Sequence, residues 1–97
     1  MKLSVTESAR RDLRAIFQYT KKKWDRDQAV SYTGELWDQF ELIRLGQFDA
    51  SFKTMFGCRS VTHRKHRIFY IQDQQRIIIA RVLHVTMDFE RHLPPVP

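Results

Sequence analysis

The sequence predicts an α+β domain with the element order β-α-α-β-β-β, and three observations lead to it. A short alternating stretch opens the chain, two apolar stripes at helical spacing follow, and from Arg59 onward the period shifts to β-prone runs. One domain over residues 1–97 is expected, because no Pro/Gly/Ser-rich linker or compositional shift divides the 97 residues. A chain of this size buries about 60–70% of the surface it would expose unfolded, and seven Phe and two Trp supply enough apolar bulk for that.

KLSV (2–5) alternates Leu3 and Val5 as a short first strand. Thr6 then suits an N-cap, with Glu7 in the first turn favouring the helix dipole. Ala9, Leu13, Ile16, Phe17, Thr20 and Trp24 fall on one helical stripe, with Arg10, Arg11 and Arg14 largely outside it. The Lys21-Lys22-Lys23 run complements the C-terminal end of that helix. WDRDQ (24–28) is a short break in which Asp25 or Asp27 caps a second helix through about Leu45. Along it Ala29, Tyr32, Leu36, Phe40 and Ile43 repeat every three or four residues, and Gly46 stands at the C-terminal cap position. Two such helices with a tight connection make an antiparallel hairpin. Trp37 sits about 100° around from Leu36, on the flank of the stripe, where it either packs or anchors a partner.

Phe48, Phe52 and Phe56 recur at a spacing of four, which fits a helical turn or an irregular loop equally. A weaker strand at about Arg59 to His63 precedes two strong ones, Ile68 to Ile71 and Ile77 to Val85, separated by Gln72 to Arg76. Their continuous apolar runs suit central strands covered on both faces, or on one face by the helices and on the other by a partner. Regular alternation puts Ile77, Ile79, Arg81 and Leu83 on one face and Ile78, Ala80, Val82 and His84 on the other, so Arg81 and His84 point apart. Arg81 on such an apolar strand needs an acceptor, and Asp88 or a C-terminal carbonyl are the candidates. Pro94-Pro95-Val96-Pro97 cannot continue a regular element.

Seventeen Lys plus Arg against eleven Asp plus Glu give a formal charge of +6 and a pI near 9.9. That sign suits an acidic partner, nucleic acid or an acidic protein segment, and equally a solvated surface. Cys58 is the only cysteine, so no intramolecular disulfide is possible. No signal-peptide pattern or apolar run of roughly 20 residues is present, which makes a cytoplasmic protein with no membrane contact the expectation.

His63-Arg64-Lys65-His66 has H-x-x-H spacing, but Arg64, Lys65 and Arg67 adjoin it without a carboxylate to offset a dication, so neither metal nor cofactor is expected. The segment reads better as a basic hairpin, touching an acidic surface or simply solvated. No G-x-S-x-G or glycine-rich phosphate loop exists, which removes classical hydrolases and nucleotide-binding folds. RNA cleavage through the 2′-hydroxyl needs a base, an acid and cations for the phosphorane. Arg59, Arg81, His84 and His92 have the residue types for it.

Gly57-Cys58-Arg59 (G-x-R), His66 to Tyr70 (H-R-I-F-Y) and above all Arg81 to Leu93 (R-V-L-H-x-x-M-D-x-x-R-H-L), in this order of elements, resemble the ParE toxins of the RelE/ParE superfamily of bacterial type II toxin–antitoxin systems. The resemblance runs from Leu3 to Leu93. It implies a helical hairpin packed on a small, mainly antiparallel four-stranded sheet. It also implies a poison of DNA gyrase that blocks replication by binding, with no chemistry of its own, neutralised by the C-terminal segment of a ParD-like antitoxin. Contact with gyrase or gyrase-bound DNA is expected from Arg59, Arg81, Arg91 and His92. Contact with an acidic, amphipathic antitoxin segment is expected from Leu13, Phe17, Trp24, Trp37 and Tyr70. One departure is LGQFDASFKTMFG, where many relatives carry an N-P-x-x-G type turn. The RelE-like branch instead cuts mRNA on the ribosome. No tyrosine follows Tyr70 to serve as its base, so that alternative rests on His84 or His92 with Arg59 and Arg81 at the phosphate. A third possibility is a member that binds its antitoxin and arrests nothing.

Overall fold

The computed structural model describes residues 1–47 and 58–87. Its elements are β1 (Lys2–Val5), α1 (Glu7–Lys23), α2 (Arg26–Arg44), β2 (Arg59–His63), β3 (His66–Gln72) and β4 (Arg76–His84), in the predicted order. The Phe48, Phe52 and Phe56 row, Asp88, Arg91, His92 and the proline tail lie outside the described residues.

Both helices start where their caps were expected. Thr6 Oγ1 accepts the Ala9 N–H at 3.1 Å and donates to the Ala80 carbonyl at 2.8 Å, so the cap of α1 also ties it to β4. Asp25 accepts the Gln28 N–H at 2.7 Å and starts α2. Gly46 closes α2 with φ +73°, a left-handed conformation that glycine adopts without Cβ strain. The expected stripe on α1 stops short: Trp24 leaves the helix with φ −119° and ψ −89° and is 69% exposed instead of joining the core. Helical spacing loses its meaning once the backbone departs from helical angles.

The sheet runs β1-β4-β3-β2, with β1 parallel to β4 from Lys2↔Arg76 to Val5↔Ile79 and the other pairs antiparallel. Ala9, Leu13, Ile16, Leu36, Phe40 and Ile43 from the helices bury Ile68, Tyr70, Ile77, Ile79 and Val82 of the sheet. Cys58, Phe69 and Leu83 form a second cluster. Alternation along β3 puts Phe69 opposite Ile68 and Tyr70, so the central strands are covered on both faces as their apolar runs require.

The regular alternation expected for β4 does not hold. Its register with β3 passes from Phe69↔Arg81 to Tyr70↔Ile79, leaving Ala80 as an extra residue. Such a bulge shifts the faces beyond it. Val82 therefore joins Ile77 and Ile79 in the main core, and Leu83 turns to the second cluster.

Candidate functional site

Arg81 finds an acceptor on α1; Asp88 and the C-terminal carbonyls expected for it lie outside the described residues. Its Nε and Nη2 donate to Asp12 Oδ2 and Oδ1 at 2.7 and 2.8 Å, and Asp12 Oδ2 also accepts the Val82 N–H at 2.9 Å. β1 pairs with β4 only as far as Ile79, and Asp12 occupies the edge beyond it. The carboxylate hydrogen bond raises the Arg81 pKa, so the guanidinium is charged at any physiological pH. Asp12 is the only acidic residue between Glu7 and Asp25, in a run otherwise rich in arginine. That isolation was the available signal for its role.

The candidates for phosphate chemistry are dispersed. Arg59 sits opposite Tyr70 and Arg81 opposite Phe69, so their strands flank β3, roughly 10 Å apart at the backbone. Arg59 donates to Gln72 Oε1 at 2.6 Å. His84 sits opposite His66, at the other end of β3 from Tyr70, where the two rings meet edge to face with centroids 5.4 Å apart. His84 Nδ1 accepts the Thr86 N–H at 3.2 Å.

Three of the residues expected to meet an antitoxin come together. Leu13 and Phe17 of α1 and Trp37 of α2, with Arg10, Arg14 and Thr33, line a groove of about 260 Å³ between the helices. Trp37 is 39% exposed, packs edge-on against Phe40 at 5.0 Å, and carries the Arg10 guanidinium 5.9 Å above its ring. It is thus partly packed and partly presented. Tyr70 does not join them, because it is 3% exposed and belongs to the main core. A tyrosine on the helix-facing side of a central strand has no route to a partner.

Trp24 lines a different recess, of about 360 Å³, between the β2–β3 turn and the linked ends of the helices. Its other walls are Tyr19, Thr20, Lys23, Gln28, Tyr32, Arg64, Lys65, His66 and His84. Tyr32 Oη lies 2.6 Å from His66 Nδ1. Burial first, then the neighbouring His84 and His63, lower the His66 pKa to about 4, so its ring is neutral at pH 7. Burial raises the Tyr32 pKa, so the phenol keeps its proton, and its oxygen also lies 3.4 Å from the His63 carbonyl. Beside the recess, Glu35 accepts from His63 Nε2 at 2.8 Å and Arg64 Nε at 2.9 Å; the His63 bond, then Arg64, holds its carboxyl below the usual range. The sequence pointed to the basic turn of Arg64, Lys65 and His66 but not to the recess, since its other members come from α1, α2 and β4 and Tyr32 was counted in a core stripe.

Among the described residues no group of three or more His, Cys, Asp or Glu side chains is placed to hold a metal, and no helix is long and apolar enough to cross a membrane. Burial raises the pKa of Cys58, which keeps it a protonated thiol.

Comparison with known proteins agrees with this architecture. Residues 3–89 match the sequence model of a family described as ParE toxin of type II toxin-antitoxin system, parDE. The chain is 32% identical over 93 residues to Toxin ParE1 of Caulobacter vibrioides, covering 92% of this chain and 94% of that one. It superposes with a TM-score of 0.77 on a chain of the chromosomal ParDE TA system from P. aeruginosa, at 21% identity, over 88% of this chain and 96% of that chain.

Proposed function

This chain belongs to the ParE toxin family of type II toxin–antitoxin systems, and from that premise we propose that it arrests bacterial growth by binding DNA gyrase, and that a ParD-like antitoxin neutralises it. The observation that favours binding over cleavage is the placement of Arg81. Its guanidinium is held in a two-pronged pair with Asp12, away from His84 and on the other side of β3 from Arg59. A ribonuclease needs its base and its cations around one phosphate, within hydrogen-bond reach of the reacting atoms. Arg81 in this reading fixes β4 to α1. Target contact falls to Arg59 together with Arg91 and His92, and the protein acts in the cytoplasm.

The antitoxin seat is the groove of Leu13, Phe17 and Trp37. Its floor is apolar and its rim carries Arg10 and Arg14, which suits an acidic amphipathic segment laid into the groove. Trp24 and Tyr70 are not part of this seat.

The test is induction without antitoxin, following thymidine and methionine incorporation over the first minutes. DNA synthesis falling first, with a DNA-damage response, supports gyrase as the target. Protein synthesis falling first supports an mRNA endonuclease and removes this proposal. Arrest of neither assigns the chain to antitoxin binding alone.

A further inference from the structure

We propose that the recess between the β2–β3 turn and the linked ends of α1 and α2 is a nucleotide-binding site, taking a flat base against Trp24 and a phosphate among Lys23, Lys65, His66 and His84. Nothing in the gyrase reading uses this recess, and the inference stands or falls apart from it.

Three independent features point to a ligand with one aromatic and one anionic part. The first is Trp24, 69% exposed at the two-residue link between helices. An exposed indole beside cations is the platform on which bases stack, because every base offers a π-face whatever its sequence. The second is charge. Lys23 and Lys65 stand on the rim, and no carboxylate lines the recess among the described residues. Glu35 beside it is already engaged by His63 and Arg64. Lys23 also lies over the Tyr19 ring at 5.7 Å, which steadies its ammonium at the rim.

The third feature is the pair of histidines. Each has Nδ1 engaged within the protein, His66 with the Tyr32 hydroxyl at 2.6 Å and His84 with Thr86 Oγ1 at 2.7 Å and the Thr86 N–H at 3.2 Å. With Nδ1 so engaged, Nε2 is the nitrogen each ring leaves for a ligand. Both residues line the recess, and neither Nε2 has a protein acceptor among the described residues. Two imidazole edges beside two ammonium groups suit a phosphate. The volume of about 360 Å³ falls within the range of small-molecule sites and suits one nucleotide unit.

The experiment uses the full chain with Trp37→Phe, so that Trp24 is the only fluorophore of its kind. It is titrated with ADP, adenosine, inorganic phosphate and a short single-stranded oligonucleotide. ADP is expected to quench Trp24 saturably with a Kd below about 1 mM, with adenosine and phosphate each at least about tenfold weaker. Lys65→Ala, in an exposed turn where folding is not at stake, is expected to weaken ADP about fivefold or more. An oligonucleotide binding more tightly than ADP names a strand end as the source of the same base and phosphate; equal binding names the nucleotide itself. Absence of saturable quenching by ADP, quenching by adenosine or phosphate as strong as by ADP, or an unchanged Lys65→Ala variant overturns the site.

Discussion

Asp12 and Arg81, one on the first helix and one on the last described strand, form a two-pronged ion pair at 2.7 and 2.8 Å, and the same carboxylate takes the Val82 N–H. The pair is mostly shielded, with side-chain exposures of 21% for Arg81 and 13% for Asp12. Removing Asp12 takes the two-pronged acceptor from the Arg81 guanidinium and the acceptor from the Val82 N–H together, whereas removing Arg81 leaves the carboxylate its backbone donor. Asp12→Ala is therefore expected to cost about 2–4 kcal/mol, and Arg81→Met about half as much, by urea denaturation with unchanged m-value. An Arg81→Met cost equal to or above that of Asp12→Ala contradicts the carboxylate as the shared anchor.

His66 sets a pH dependence of known sign. An unfolded histidine titrates near 6.5, while the folded His66 is lowered to about 4. Above pH 6.5 both states hold a neutral ring and the native state has its full stability. Between 6.5 and about 4 the unfolded chain takes up a proton that the fold refuses, so stability falls with pH by up to about 1.4 kcal/mol per unit. Glu35, whose folded pKa is lowered, loses its contribution only below the ordinary carboxylate range, so the two windows separate. Urea midpoints at pH 7, 6 and 5 should decline in the native chain and flatten in His66→Gln. Equal slopes in both chains would assign the dependence elsewhere.

Trp37 should separate partner binding from folding. Being 39% exposed, it can be truncated at the cost of about 1–2 kcal/mol of packing against Phe40. Calorimetry with a ParD-like C-terminal peptide is expected to show Trp37→Ala binding at least about tenfold more weakly, as loss of an aromatic anchor does. Binding unchanged in a folded Trp37→Ala variant would move the antitoxin off this groove.

Thr6 serves two partners with one hydroxyl, the Ala9 N–H and the Ala80 carbonyl. Thr6→Ala loses both and is expected to cost about 1–2 kcal/mol, or roughly 4–8 °C in Tm per kcal/mol for a domain this size. Thr6→Ser keeps the oxygen and should retain most of the stability. Thermal melts of the two variants decide it: a Ser variant as unstable as the Ala variant would place the effect on the methyl group.

What could be read ahead of the structure were features set by local chemistry. Thr6, Asp25 and Gly46 marked helix ends because caps depend on a few neighbouring atoms. Helix and strand periods marked the six elements for the same reason. What escaped depended on pairing between distant segments. The extra Ala80 that reverses the faces of β4 is defined only against β3, and Asp12 as the partner of Arg81 only against the open edge past Ile79. Tyr70, Trp24 and Trp37 show the same limit for aromatic residues: one is core, one projects from a link, one is shared between packing and surface.

The parallel pairing of β1 with β4 also fixes when the domain becomes whole during synthesis. Lys2–Val5 are made well before their partners Arg76–Ile79, and the cap of α1 leans on Ala80. Until that stretch has left the ribosome, the opening strand has no neighbour and the chain must close a loop of nearly its full length to complete its sheet. A chain that ends between Arg44 and Arg76 has the helical hairpin but lacks β4, on which it docks. Completion of the sheet thus waits for Arg76–Ile79, and any partner already in the cell has that interval to be in position.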